Sequence, residues 1–150
     1  VMLATKKGQA IRFKESDIRE MGRTAGGVRA MKLGKGDEVI GFGVVKKELE
    51  KTSFFLTMSE NGLGKKTEIA EYKLQKRGGS GIKTTKITAK TGDLIAGKVI
   101  TIEEELIAMS KKSQVIRTTL DSVPNLGRQT QGVTIMKLRS GDGLASLAFL

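Results

Sequence analysis

The chain has no cysteine, no histidine, no tryptophan, one proline and one tyrosine among its 150 residues. Without cysteine there are no disulfides, no thiolate nucleophile and no zinc finger. Without histidine, any triad or metal site that needs imidazole is excluded. Missing cysteine also fits a reducing cytoplasm. No apolar run approaches the roughly 20 residues of a spanning helix, and no stretch reads as a basic amphipathic helix, so a membrane is not the expected partner. Both ends are apolar and strand-like, from Val1-Met2-Leu3 to Ala148-Phe149-Leu150, with no signal peptide and no initiator methionine. They lead to the expectation of a fragment of a larger polypeptide.

What is present is positive charge. Lys and Arg number 27 against 16 Asp and Glu, a net charge of +11 and a pI near 10.0. That exceeds what solubility requires and points to a polyanion, nucleic acid rather than lipid.

The second abundant feature is repetition. Arg23-Thr24-Ala25-Gly26-Gly27-Val28 lines up with Arg77-Gly78-Gly79-Ser80-Gly81-Ile82 and with Arg128-Gln129-Thr130-Gln131-Gly132-Val133, at spacings of 54 and 51 residues. The same offsets bring Gly8, Gly62 and Ser113 together, then Arg12, Lys66 and Arg117. Downstream they align Lys32, Lys86 and Lys137, and then the turns Gly36-Asp37, Gly92-Asp93 and Gly141-Asp142, the middle copy carrying two extra residues. Three repeats follow, at about 1–50, 51–102 and 103–150.

Within them, short alternating or apolar runs predict strands at 1–5, 10–13, 28–33, 39–45, 54–58, 82–87, 94–102 and 106–109. Segments 14–21 and 46–52 have room for no more than a helical turn. With 19 glycines and frequent turns, the expected fold is all-β. A repeat of this size carrying about four strands matches a propeller blade, and three blades make an arc.

Two tempting sites weaken against the repeat. Gly62-Leu63-Gly64-Lys65-Lys66-Thr67 lacks the spacing of a phosphate loop, and no helix pattern follows it. Tyr72 aligns with Ile18 and Val123, so its position calls for an apolar side chain and a packed ring rather than a nucleophile. Asp37, Asp93 and Asp142 recur at aligned turns and read as turn residues, so no catalytic residue is expected.

The candidates for binding are the cations that recur once per blade: Arg12, Lys66 and Arg117; Arg23, Arg77 and Arg128; Lys32, Lys86 and Lys137. Equivalent positions on successive blades would form a positive track for a phosphate backbone. The segment Gln75-Lys76-Arg77-Gly78-Gly79-Ser80-Gly81 adds a possible clamp. There, glycine main-chain N–H groups of Gly78, Gly79 and Gly81 would approach phosphate, Lys76 and Arg77 would add charge, and Gln75 could donate from its amide. The same segment also serves as a Gly-rich connection between blades.

Gln75 to Gly81 resembles the box of the A subunits of bacterial DNA gyrases, written Q-R-R-G-G-K-G, with Lys76 a mild change and Ser80 in place of a basic residue. Val1-Met2-Leu3, Arg12 to Ser16, Met21 to Thr24, Asn61-Gly62 and Gly127 to Val133 are similar to the C-terminal blades of that family over nearly the whole chain. The resemblance implies a β-pinwheel, a propeller relative whose neighbouring blades exchange a strand. It further implies three four-stranded blades forming half of a usually six-bladed ring.

By the same resemblance, double-stranded DNA would bend around the basic rim. The chain would work with the remainder of the gyrase A subunit, and through it with the B subunit, in the cytoplasm on the nucleoid. It would have no bond chemistry or cofactor of its own, since ATP and Mg belong to other parts of the parent enzyme. The blades are most similar to the distal three of six, which makes the motif at 75–81 a second, box-like copy. The equivalent domain of topoisomerase IV, and a propeller scaffold for acidic proteins, remain alternatives. Open blade edges leave self-association as a further expectation.

Overall fold

The computed structural model describes residues 1–150 as eleven strands and four single 3-10 turns. In the first repeat these are β1 (Met2–Thr5), β2 (Gln9–Arg12) and β3 (Val39–Gly43). The second holds β4 (Phe54–Ser59), β5 (Leu63–Glu68), β6 (Ile82–Lys83) and β7 (Leu94–Ile100). The third holds β8 (Glu105–Ser110), β9 (Val115–Thr119), β10 (Val133–Thr134) and β11 (Leu144–Phe149).

Each repeat opens with a hairpin. β1 pairs antiparallel with β2, β4 with β5 and β8 with β9. The connecting turns end on Gly8, Gly62 and Ser113, all in the left-handed region at φ 84°, 80° and 63°. The last strand of each repeat then returns to the hairpin's first strand, β3 on β1, β7 on β4 and β11 on β8.

The fourth strand is borrowed. β6, from the second repeat, adds to β2 of the first, and β10, from the third, adds to β5 of the second. Blade one is therefore β3-β1-β2-β6 and blade two β7-β4-β5-β10, while blade three has only β11-β8-β9. The expected three four-stranded blades become four, four and three strands, because the outer strand of each blade is supplied by the repeat that follows.

This exchange also explains why residues 28–33 form no regular strand, although their equivalents begin β6 and β10. In this structure they pair with no blade edge, whereas β6 and β10 each have one. The strands at 63–68, 115–119, 133–134 and 144–149 escaped the sequence reading, and the run expected at 82–87 shortens to Ile82–Lys83. Short helical turns do occur at Glu15–Asp17 and Lys47–Leu49, inside the two segments that had room for them.

Blades touch along their inner strands, where β3 meets β7 in parallel at Gly41 and Gly97. A Cβ on Gly41 would lie 2.3 Å from the Gly97 carbonyl oxygen, so this approach requires the missing side chain. The core lies between blades. Met2, Ala4, Ala10, Phe55, Ile69, Tyr72 and Val99 form the first layer, and Leu56, Met58, Ile100, Leu106, Leu120, Val123 and Leu144 belong to the second. Each large apolar side chain buried there contributes about 1.5–3 kcal/mol, so the blades hold one another in place.

Candidate nucleic-acid interface

The box-like segment runs from the 3-10 turn Ile69–Glu71 to β6 and lies against residues 29–32 of the repeat before it. The Arg77 guanidinium donates to the Arg29 carbonyl and, at 2.9 Å, to the Asp17 carbonyl. The Gly78 N–H donates to Ala30 O, and the Lys32 N–H to Gly79 O, both at 2.9 Å. One blade further on the geometry recurs. Arg128 Nη1 donates to Lys83 O at 2.7 Å, and the Lys86 N–H to Thr130 O at 3.2 Å.

Each basic loop is thus stitched to the extended segment of the preceding repeat, whose own cations stay at the surface. Arg29, Lys32 and Lys76 are exposed at the first junction, and Lys83 and Lys86 at the second. Arg29 and Lys83 were missed in the sequence, although they align at the 54-residue offset. Thr134 in the third copy breaks the once-per-blade recurrence of a cation at this position. Arg77 and Arg128 are half-buried at the base of their loops, while Arg23 and Lys137 are exposed.

The main-chain clamp changes in detail. The Gly78 N–H is already used by Ala30. A Cβ on Gly81, at φ 78°, would lie 2.4 Å from Ala10 O, so this glycine lets the chain enter the neighbouring blade. The side-chain Nε2 of Gln75 is buried without a partner rather than turned outward.

Arg12 is not at the surface. It is 7 % exposed, and its guanidinium donates to Ile69 O and Tyr72 O at 3.4 and 3.2 Å and pairs with Glu50 at 2.8 Å. Its guanidinium is therefore committed to carbonyls of the next repeat's 3-10 turn and to Glu50, not left at the surface where the sequence placed it. Lys66 does the equivalent, donating to Leu120 O at 2.9 Å with its ammonium 5.3 Å from the Phe54 ring centroid. Arg117 instead pairs with Glu105 across its own hairpin. A basic residue can recur because each blade needs the same internal hydrogen bonds, and repetition alone does not distinguish that use from DNA contact.

Lys65 has no basic counterpart in the other repeats and was not a candidate. Only 1 % exposed, its ammonium donates to Gly127 O and Arg128 O at 2.6 Å each and to Thr130 Oγ1 at 3.1 Å, holding the loop that carries Arg128. Burial lowers its pKa to about 8, with Glu71 opposing the shift and Arg128 adding to it. An unfolded lysine titrates near 10.5, so between these values the unfolded chain binds the extra proton and the Lys65 contribution to stability rises with pH. Urea midpoints taken from about pH 7 to about pH 11 should show this rise in the wild type relative to Lys65→Met. Parallel curves for the two proteins would exclude the perturbed lysine.

A sequence model described as DNA gyrase C-terminal domain, beta-propeller, matches residues 1–46, 53–101 and 104–150. The chain belongs to the DNA gyrase C-terminal domain family. It is 38% identical over 148 residues to the DNA gyrase A subunit of Staphylococcus epidermidis and 40% identical over 148 residues to that of Kosmotoga olearia. Each comparison covers 99% of this chain but only 16% and 18% of the relative, so the chain spans about a sixth of their length. Among solved structures, a DNA gyrase A C-terminal domain superposes with a TM-score of 0.82 at 29% identity, covering 99% of this chain and 49% of that one. The C-terminal domain of DNA topoisomerase IV shares the fold, with a TM-score of 0.90 at 19% identity, covering 99% of this chain and 46% of that one.

In this gyrase-family domain Tyr72 is packed as the repeat implied. It is 1 % exposed, stands edge-on to Phe55 with centroids 5.6 Å apart, and shares a 2.6 Å hydrogen bond with Thr84 Oγ1. Burial pushes its phenol up to about 12, the reverse of what a nucleophile needs. Tyr72→Phe should cost about 1 kcal/mol in thermal or urea unfolding for the lost hydrogen bond, with DNA affinity unchanged. Loss of binding by the folded variant would contradict the packed role.

Two of the three aligned aspartates, Asp37 and Asp142, accept turn N–H groups. Asp37 accepts from the Lys7 N–H at 2.9 Å, and Asp142 from the Lys112 and Gly143 N–H groups at 3.0 and 2.8 Å, while Asp93 pairs with Lys7 Nζ at 2.8 Å. The phosphate-loop lookalike at 62–67 runs straight into β5.

Proposed function

We propose that the chain binds and bends double-stranded DNA without regard to sequence, as part of the DNA-wrapping domain of a gyrase. The observation that carries this reading is the recurrence of one junction geometry on successive blades, with exposed cations from both partners at each junction. Phosphates of one duplex following the rim would meet Arg29, Lys32 and Lys76, and then Lys83 and Lys86, with Arg23 and Lys137 to either side. Such contacts neutralise phosphate charge and release counterions whatever the base sequence, and any preference would come from how easily the duplex bends.

The domain itself would break no bond. It would support ATP-driven negative supercoiling by the whole enzyme on the nucleoid, working through the rest of the gyrase A subunit, which in turn works with the B subunit. The family match and the gyrase relatives favour this over a topoisomerase IV domain or an acidic-protein scaffold.

The test is a salt-titrated gel shift combined with end-to-end FRET on duplexes of unrelated sequence. Salt-sensitive binding with end-to-end shortening is the expected result. A folded chain that binds none of these duplexes, or binds without shortening them, would refute the proposal.

A further inference from the structure

The first two repeats fill one aligned layer with opposite chemistry. Beneath the first junction, Leu3, Ile11, Phe13 and Met31 form a small apolar cluster. At the 54-residue offset their places are taken by Thr57, Lys65, Thr67 and Thr85, each no more than 3% exposed. The third repeat has Ala108, Ile116, Thr118 and Met136 there. Burying polar groups costs stability unless every one is satisfied, so four exchanges in one layer point to a use beyond packing. We propose that this layer, led by Lys65, fastens the second cation-bearing loop, and that the proton on Lys65 sets how tightly that junction holds DNA. The role rests on the DNA-binding reading above.

Two of the four side chains reach directly into residues 126–130, and the other two bond each other. An ammonium has three N–H donors, and Lys65 uses all of them, on Gly127 O, Arg128 O and Thr130 Oγ1. Thr67 Oγ1 donates to Leu126 O at 2.7 Å, and Thr85 Oγ1 to Thr57 Oγ1 at 3.2 Å. The loop passes the constraint outward, because Arg128 Nη1 donates to Lys83 O at 2.7 Å and the Lys86 N–H to Thr130 O at 3.2 Å. Lys83 and Lys86 are the exposed cations of this junction. Lys65 is thus a positioning residue, acting on phosphate contacts only through the loop.

The first loop is held without such a layer. Its Gly78 N–H bonds Ala30 O, and Arg77 reaches two carbonyls, of Asp17 and Arg29. In the second loop Gln129 stands at the Gly78 place and makes no main-chain bond to Thr84, the counterpart of Ala30, while Arg128 reaches one carbonyl. The bonds missing from above are supplied from beneath by Lys65 and Thr67.

The Lys65 ammonium pairs with no carboxylate. The charged groups acting on it are Glu71, on the 3-10 turn, and Arg128, on the loop it holds, and the Glu71 carboxylate also accepts the Arg128 N–H at 3.1 Å. Its partner across β4 is the neutral Thr57, the cations of Lys83 and Lys86 lie at the surface, and Tyr72 keeps its proton to about 12. Burial brings Lys65 to about 8. Losing the proton leaves two donors for three oxygens and turns a lone pair toward them, so the neutral amine releases the loop. Phosphates over Lys83 and Lys86 favour the positive form, and the complex therefore holds the proton to higher pH than the free chain. Affinity is then full below about 8 and falls as pH rises through the value of the complex.

The test compares the 150-residue chain with Lys65→Ile, which copies Ile11 and Ile116, on one duplex of arbitrary sequence at fixed salt. Between about pH 7 and about pH 9.5 the wild-type affinity should fall about three- to ten-fold. Calorimetry near pH 8.5, in buffers of different ionisation enthalpy, should show uptake of a fraction of a proton on binding, a reading that needs no variant. Lys65→Ile should bind about three- to ten-fold more weakly than the wild type near pH 7, and should lose both the pH dependence and the proton uptake. Wild-type affinity that is flat with pH, or a folded variant that keeps the wild-type profile, would overturn the role of Lys65 alone. No binding by either protein would overturn the DNA reading, and this role with it.

Discussion

Replacing Arg29, Lys32, Lys83 and Lys86 together with alanine is expected to weaken binding to duplexes of unrelated sequence by about a hundred-fold or more near 0.1 M salt. It should also flatten the slope of log K against log salt by about 3 to 4. Each phosphate contact contributes about 0.9 to that slope, and all four side chains are exposed at the two loop junctions. None of the four side chains forms an ion pair within the chain, so unfolding midpoints should move little.

Removing Lys76 and Arg77 together should also reduce affinity and slope, but with a loss of stability, because Arg77 bonds the loop to Asp17 and Arg29. Arg12→Ala is the opposite control: it should destabilise the fold and leave the salt slope unchanged. A slope that falls with Arg12→Ala and not with the fourfold variant would reverse the assignment of these cations.

Gly62→Ala is expected to be among the most damaging single-methyl additions, costing about 2–5 kcal/mol. A left-handed conformation disfavours any side chain by about 1–2 kcal/mol, and overpacking adds about 1–3. At φ 80° the new Cβ would face the Met136 oxygen at 2.2 Å, so β10 must leave β5 or the turn must distort. Gly27→Ala shares the left-handed backbone, at φ 76°, but meets open space, and should cost only the conformational part. Urea unfolding of the two variants separates the contributions. Equal losses would mean that the close passage over Gly62 does not hold the blades together.

Much of the fold was readable because each repeat carries its own copy of the same turns. Gly8, Gly62 and Ser113 mark the hairpins, and Asp37, Asp93 and Asp142 mark the return, so offsets alone showed three units of an all-β arc. β5 was hidden because Lys65 and Lys66 interrupt its apolar pattern. Both lysines are accommodated by carbonyls of the third repeat, at Gly127, Arg128 and Leu120, which no local window contains. β10 was hidden for a related reason: a two-residue strand has no period, and it exists only because β5 is there to receive it.

The candidate site divides along the same line. Composition and repetition determined that the chain is a basic, all-β, threefold-repeated protein without thiol or imidazole chemistry, since these are properties of residue type and spacing. Only the tertiary structure decided which recurring cations remain at the surface and which satisfy the neighbouring blade, as Lys32 and Arg12 do respectively. It also decided that one turn position is a sterically required glycine in two repeats and a serine, still at positive φ, in the third. The physical reason is that a side chain's charge and conformational preference are local, whereas the backbone oxygens that use up a guanidinium or exclude a Cβ are brought there by the next repeat, some fifty residues away.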